Sequence, residues 1–428
     1  MGIKMNRSIT LVSFASLLLL TGYIDAEIMP SSVREGSISL GFEHTHSDNI
    51  RKTNTNQKSG YEQRVDLNVS YQNHTATNNS LLDYGLYYSH YSEADIEDES
   101  DIAGSLTISQ QIFSKNLLLD LSHFRHSYLL DKAGVDLPNN NGNRDVFTVS
   151  PLWRLPYSKR AGFETRYTYT AVRLSDDKQQ NTDRNGLSLS WYHDLNNKMT
   201  YRLSSQYSEV DFLLYELTYE QINVDMSLAG NLRNGSYLAK AGYSRLAILN
   251  RYEEGGIFQF SYHYRFQKNT LGLSVQRELT DSSLGLGKDT PDSGDINFDG
   301  TQLLWIDRVS LDHNFFAFNA RFTNTNSLYY QQETPLITRE VKPRSGISTQ
   351  LSWKHTALLT TRFSASYSQT YIEKEFDKQQ WLTSLSSEYR FHPKLTFSLT
   401  AQYEEQLNNE QMNGYDETRL IATVRFSH

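Results

Sequence analysis

The chain has 428 residues, 41 Lys and Arg against 49 Asp and Glu, a net charge of −8 and no cysteine. Without cysteine there is no disulfide, thiolate metal site or lipid-anchored cysteine, and a mildly acidic balance gives no reason to expect nucleic acid as a partner. A mean hydropathy of −0.58 reads as soluble, yet 28 Tyr and 20 Phe beside only 8 Pro favour strands, and a barrel with one wet face per strand has the same average.

Residues 1–26 predict a signal peptide: Lys4 and Arg7 open it, Ile9 to Leu20 is an apolar run too short to span a bilayer, and Ile24-Asp25-Ala26 offers a small-residue cleavage site. In Leu-Thr-Gly-Tyr, residues 20 to 23, a Tyr stands where a lipidated Cys would be needed. No later apolar run reaches the length of a membrane helix, so membrane residence of the mature chain, 27–428, falls to strands.

From Gly36 onward the pattern has a period of two. Ile38, Leu40 and Phe42 alternate with polar residues, and Val65, Leu67, Val69 and Tyr71 alternate with Arg64, Asp66, Asn68 and Ser70. Leu82, Tyr84, Leu86 and Tyr88 form a third strand, and Leu106, Ile108 and Ile112 turn at Ser114-Lys-Asn116 into Leu117, Leu119 and Leu121. Phe147, Val149 and Trp153 turn at Pro156-Tyr-Ser-Lys159 into Phe163, Tyr167 and Tyr169. Leu187, Leu189 and Trp191 lead to Met199, Tyr201 and Leu203, then Ile222, Val224 and Met226 to Tyr237 and Tyr243.

The clearest hairpin follows: Phe258, Phe260, Tyr262, Tyr264 and Phe266 share one face, and after a polar turn Leu271, Leu273 and Val275 resume it. Trp305, Val309 and Leu311 are expected to pair through His313-Asn-Phe315 with Phe316, Phe318, Ala320 and Phe322. Ile347, Leu351 and Trp353 precede Phe363 and Tyr367; Leu385 and Tyr389 turn at His392-Pro-Lys394 into Phe397 and Leu399; Leu420 to Phe426 close the series. The sequence thus predicts an all-β, transmembrane, antiparallel up-and-down barrel of about twenty strands, with eighteen or twenty-two also fitting the pattern. Short turns alternate with long polar loops, which places the long loops outside without exception and both termini in the periplasm.

The polar faces collect charge: Arg64, Asp66, Glu164, Arg166, Arg202, Arg265, Arg308, Arg321, Arg362 and Arg390, together with Asp225, Lys240, Asp312, Lys354 and Glu388. Such a lining guides a polar or anionic polymer, or is the mutually paired lining of any water-filled barrel. Asp295, Asn297 and Asp299, followed by Gly300, match the start of a calcium loop, but the place of its bidentate Glu is held by Ile306. The 12 His form no local nucleophile–base signature and Gly285-Leu-Gly287-Lys288 lacks phosphate-loop spacing, so no enzyme is expected.

Tyr61-Glu-Gln-Arg-Val-Asp-Leu-Asn-Val-Ser-Tyr71, Val146-Phe-Thr-Val-Ser-Pro151, Asn185-Gly-Leu-Ser-Leu-Ser-Trp191 and the overall plan resemble the exopolysaccharide-locus outer-membrane barrels described as PEP-CTERM system-associated. The resemblance spans nearly all of the mature chain. It implies the bacterial outer membrane with its lipid and lipopolysaccharide, export or surface handling of an exopolysaccharide in biofilm formation, and periplasmic export components as partners. A porin for small solutes and a surface adhesin acting through its loops are the alternatives. The barrel assembly machinery is expected as a partner, although Ser427 and His428 follow Phe426 where the usual assembly signal ends on an aromatic residue.

Overall fold

The computed structural model describes residues 33–428, apart from 94, 114, 130–136, 176–180, 214–216, 249–250, 282–302, 319, 337–338, 373–374 and 409–413. The expected signal peptide and the calcium candidates Asp295, Asn297 and Asp299 lie outside the described residues.

Twenty strands form one sheet. They are β1 (Val33–Ser47), β2 (Gly60–His74), β3 (Asn78–Tyr91), β4 (Glu99–Gln111), β5 (Leu117–Leu129), β6 (Asn141–Pro156) and β7 (Ala161–Leu174). Next come β8 (Thr182–Asn196), β9 (Met199–Phe212), β10 (Leu217–Leu232), β11 (Gly235–Ile248), β12 (Arg251–Phe266), β13 (Asn269–Asp281) and β14 (Leu303–Ala317). The last six are β15 (Phe322–Pro335), β16 (Lys342–Lys354), β17 (Leu359–Ile372), β18 (Glu375–His392), β19 (Leu395–Asn408) and β20 (Tyr415–Ser427). Each pairs antiparallel with its sequence neighbours, and β1 also pairs with β20 from Ser39↔Ser427 to Ser47↔Arg419. That seam closes the sheet and removes its open edges, the condition for backbone to sit in lipid.

Burial is inverted relative to a soluble protein. Val65, Leu189 and Leu385 are 45%, 53% and 52% exposed, while the carboxylates of Asp66, Glu164 and Glu404 are buried. Only a lipid solvent makes that arrangement favourable, because apolar side chains lose nothing there and charges keep water and partners in the lumen. Exposed Trp153 and Trp353 and half-buried Trp191 lie within a few residues of the turns. Trp191 donates to Tyr157 at 2.9 Å, and Trp353 stacks on Phe318 and His355. This is an interfacial girdle, with aromatic bodies in lipid and polar edges in headgroups. At the other end the outward positions become charged, as in the Arg173–Asp183 pair at 2.7 Å, so the strands project beyond the apolar belt.

Three expectations are corrected. The β14–β15 turn falls between Ala317 and Phe322, not at His313-Asn-Phe315, and Phe318 and Ala320 take the left-handed region, with φ of 51° and 62°. Strand β14 therefore runs on to Ala317, and Phe318 and Ala320 are turn residues instead of strand residues. At the loop end the connections are not uniformly long: two residues separate β11 from β12, and two separate β17 from β18. Trp305 does not face lipid; it is 5% exposed.

Candidate functional site: a charged lumen with a narrowed mouth

Most of the predicted lumen charges are neutralised locally. Glu164 accepts hydrogen bonds from Arg154 at 3.0 Å and from Arg202, joining β6, β7 and β9 on the inner wall. Arg166 meets Asp120 at 2.9 Å, Arg362 meets Glu388 at 2.7 Å, Lys240 meets Asp225 at 3.1 Å, and Asp66 lies 3.4 Å from Arg425. Arg64 stacks on Tyr87 with its guanidinium carbon 3.7 Å from the ring centre, and Arg308 lies over Tyr329 at 5.8 Å. Arg265 and Arg390 take inward positions beside the turns at the ends of β12 and β18, and Arg321 lies in the β14–β15 turn instead of on the lumen wall. Glu164 and Arg202 are brought into one network; the other charges are distributed around the circumference.

The distribution has a direction. Inward positions of β1–β4 carry Glu35, Glu43, Glu62, Asp66, Asp83, Glu99 and Asp101, with Arg64 as the cation among them. Those of β16–β18 carry Lys342, Arg344, Lys354, Arg362, Lys378 and Arg390, with Glu388 as the anion among the described side chains. On β16–β18 the cations sit near both ends of the strands. Between them the wall is hydroxyl-rich, with Ser348, Ser352, Ser364, Ser366 and Ser384, and Ser364 and Ser384 are 2.7 Å apart.

The loop end of the barrel is narrowed by elements the sequence did not single out. The ladder between β12 and β13 stops at Phe258↔Arg277, although β12 stays paired with β11 up to Arg251 and β13 stays paired with β14 up to Asp281. Beyond Arg277, β13 and β14 leave the wall and cross inside the mouth. Leu279, Leu303 and Trp305 pack on the inner faces of β9, β10 and β11 against Val210, Phe212, Tyr219 and Leu246. The side chain of Gln221 on β10 donates to the carbonyl of Leu279 at 2.8 Å, and Trp305 donates to Glu253 at 3.1 Å over Gly255. A buried carboxylate anchors the crossing: Asp281, 0% exposed, accepts from both Arg184 on β8 and the Tyr219 hydroxyl.

A second inward element lies about half-way round the strand order. Asn49, Ile50 and Lys52 of the β1–β2 connection are buried, with Asn49 donating to the carbonyls of Thr53 and Asp416 at 2.8 Å each. Beneath them Glu404 accepts from Tyr415 at 2.6 Å and from Arg419, and Glu417 accepts from Ser47 at 2.6 Å. The β1–β2 and β3–β4 connections are clasped through Glu93, which lies 2.9 Å from Lys58 and 3.0 Å from Arg51. The Lys58 hydrogen bond, with help from Arg51, holds the Glu93 carboxyl below the usual carboxylate range. Among the described residues no group of His, Asp and Glu has the geometry to hold a metal ion.

No family model and no curated protein matches the sequence. Among solved structures, the FrpB iron transporter of Neisseria meningitidis is similar at 11% identity and TM-score 0.50, over 92% of this chain and 82% of that one. The ferric enterobactin receptor PfeA of Pseudomonas aeruginosa is similar at 10% identity and TM-score 0.52, over 92% and 80%. Likeness at this identity establishes the fold. With the closed sheet and its apolar belt, it makes the chain an outer-membrane β-barrel in contact with membrane lipid.

Proposed function

We propose that the barrel is a selective channel for anionic, hydroxyl-rich cargo, moved along the inner wall of β16–β18. The observation that carries this reading is the segregation of lumen charge. The basic, hydroxyl-lined sector is separated from the acidic sector of β1–β4 only by β19 and β20, where Arg419 and Arg425 meet carboxylates. A cation at each end of a neutral stretch offers an anion a place to enter and a place to leave, while hydroxyls replace part of its hydration shell between them. The polymeric form of that cargo, an acidic exopolysaccharide, accords with the sequence resemblance. It brings with it periplasmic export components and the barrel assembly machinery as partners. A small-solute porin uses the same wall and differs in the size of what passes.

The test is single-channel conductance of the refolded full-length protein under a salt gradient, with and without an acidic oligosaccharide such as tri-galacturonate. The reading expects anion preference, transient block by the acidic sugar but not by a neutral one, and loss of both with Lys354→Gln and Arg390→Gln together. Cation preference, or equal block by neutral and acidic sugars, would overturn it; passage of small anions without any block would leave the porin form.

A further inference from the structure

The end of the barrel that carries the tight turns differs electrostatically from the loop end. Seven of its nine turns contain Lys or Arg, from Lys115 to Lys394, and none contains Asp or Glu. Within this collar one cavity of about 270 Å³ is lined by Arg233, Asn234, Ser236, His263, Arg265 and Thr270, along with Gly235 and Tyr264. The backbone brings the two arginines together. The Arg265 N–H donates to the Asn234 carbonyl at 2.6 Å, which fastens the β10–β11 turn to the end of β12. Gly235 permits the approach, because a Cβ there would collide with the carbonyl of His263.

No carboxylate lines the cavity, and among the described residues neither Arg233 nor Arg265 takes part in an ion pair. That contrasts with Arg154, Arg166 and Arg362 on the same inner wall, each of which is matched to a carboxylate within 3.5 Å. On the inner wall beside the cavity, Asp312 flanks Gly272 opposite His263, and it accepts from Ser327 at 2.7 Å.

We infer that this niche is a binding site for one oxyanion group, a phosphate or a carboxylate, at the turn-end mouth of the channel. Two guanidinium groups in a small concavity present forked donors that match an oxyanion's edges, and Ser236 and Thr270 add hydroxyls to complete its hydrogen bonds. The surrounding basic turns raise the local concentration of anions. Ser236, His263, Arg265 and Thr270 take inward positions and Tyr264 an outward one, so the niche is open to a free anion entering the lumen and to a phospholipid headgroup at the rim. The inference rests on the lumen geometry and not on conduction.

The experiment is calorimetric titration of the full-length barrel in zwitterionic detergent with inorganic phosphate and with galacturonate. Wild type is expected to bind at one site, Arg233→Gln and Arg265→Gln each to weaken binding at least tenfold, and the double variant to show none. Heat-modifiable migration confirms that each variant is folded, and Arg265→Lys is expected to restore part of the affinity. Repeating the titration in nanodiscs separates the sources. Competition by phosphatidylglycerol but not by phosphatidylcholine assigns the niche to a headgroup phosphate, and equal affinity in both assigns it to a free anion. No phosphate or galacturonate binding by wild type, or unchanged binding by a folded double variant, would overturn the inference. A barrel that binds phosphate but shows no anion preference in bilayers would sink the transport reading and leave the niche standing.

Discussion

Removing Arg184 tests the crossing of β13 and β14 inside the mouth. In Arg184→Met the fully buried carboxylate of Asp281 keeps the Tyr219 hydroxyl but loses the guanidinium that pairs with it from β8. Breaking one side of a buried ion pair costs about 3–5 kcal/mol. Against this stand Leu279, Leu303 and Trp305, whose burial on the inner wall is worth roughly 1.5–3 kcal/mol each. The crossing is therefore expected to persist in the variant but to open far more often. At about 1.4 kcal/mol per factor of ten, local opening rises roughly 10²-fold to 4 × 10³-fold. Amide hydrogen exchange at Glu278–Asp281 and Leu303–Ile306 reads this directly, with β16–β19 as an unchanged internal reference, and open-channel current in bilayers is expected to rise with it. Arg184→Met combined with Asp281→Leu replaces the pair by apolar groups and is expected to return exchange to near the wild-type rate, since such replacements are close to neutral. Unchanged exchange in the single variant, or a double variant as labile as the single, would refute the anchoring role.

Two further outcomes are expected. Because the Glu93 carboxyl sits below its usual range, the clasp it makes with Lys58 and Arg51 is fully present above the ordinary carboxylate pKa and is lost only as pH falls through the lowered one. Exchange protection of residues 51–58, corrected for intrinsic rates, should thus fall below about pH 4; Glu93→Gln should show the unprotected rate at neutral pH, and a variant with the wild-type pH response would speak against the clasp. On the wall, Leu189 faces lipid near the middle of β8 and Ser190 faces the lumen. Leu189→Arg should cost about 2–4 kcal/mol in folding titrations into vesicles and Ser190→Arg much less; equal costs would mean the two faces are misassigned.

The barrel was legible because lipid and lumen impose a period of two that side chains such as Val65 and Asp66 obey strictly. The mouth was not. Alternation shows which face of β13 and β14 is apolar, but Leu279 and Trp305 satisfy that rule equally well against lipid or against the inner wall of β9–β11. The available hint was Asp281 on the same strand face as Leu279, a charge where lipid was expected. The β14–β15 turn was misplaced for a local reason: the left-handed positions are filled by Phe318 and Ala320, which carry none of the Gly or Asn signal that marks such turns. Tyr84 shows a third kind of limit. Read as a lipid-facing aromatic, it lies across Gly104 and hydrogen-bonds His123, a link that spans β3 to β5 and has no trace in spacing along one strand.

The seam between β1 and β20 also bears on how the molecule comes into being. Every other pairing joins consecutive strands, so the wall can zip up locally, one hairpin after another. The seam alone requires the two ends of the chain to meet, as Ser47 and Glu417 do across 370 positions. Contacts of such separation carry the largest loop-closure entropy and are slow to form. Until they form, β1 and β20 expose backbone donors and acceptors whose burial in hydrocarbon costs several kcal/mol apiece. Insertion and closure are thereby tied into one cooperative event: a chain that stops short of β20 has no partially closed state that lipid would accept.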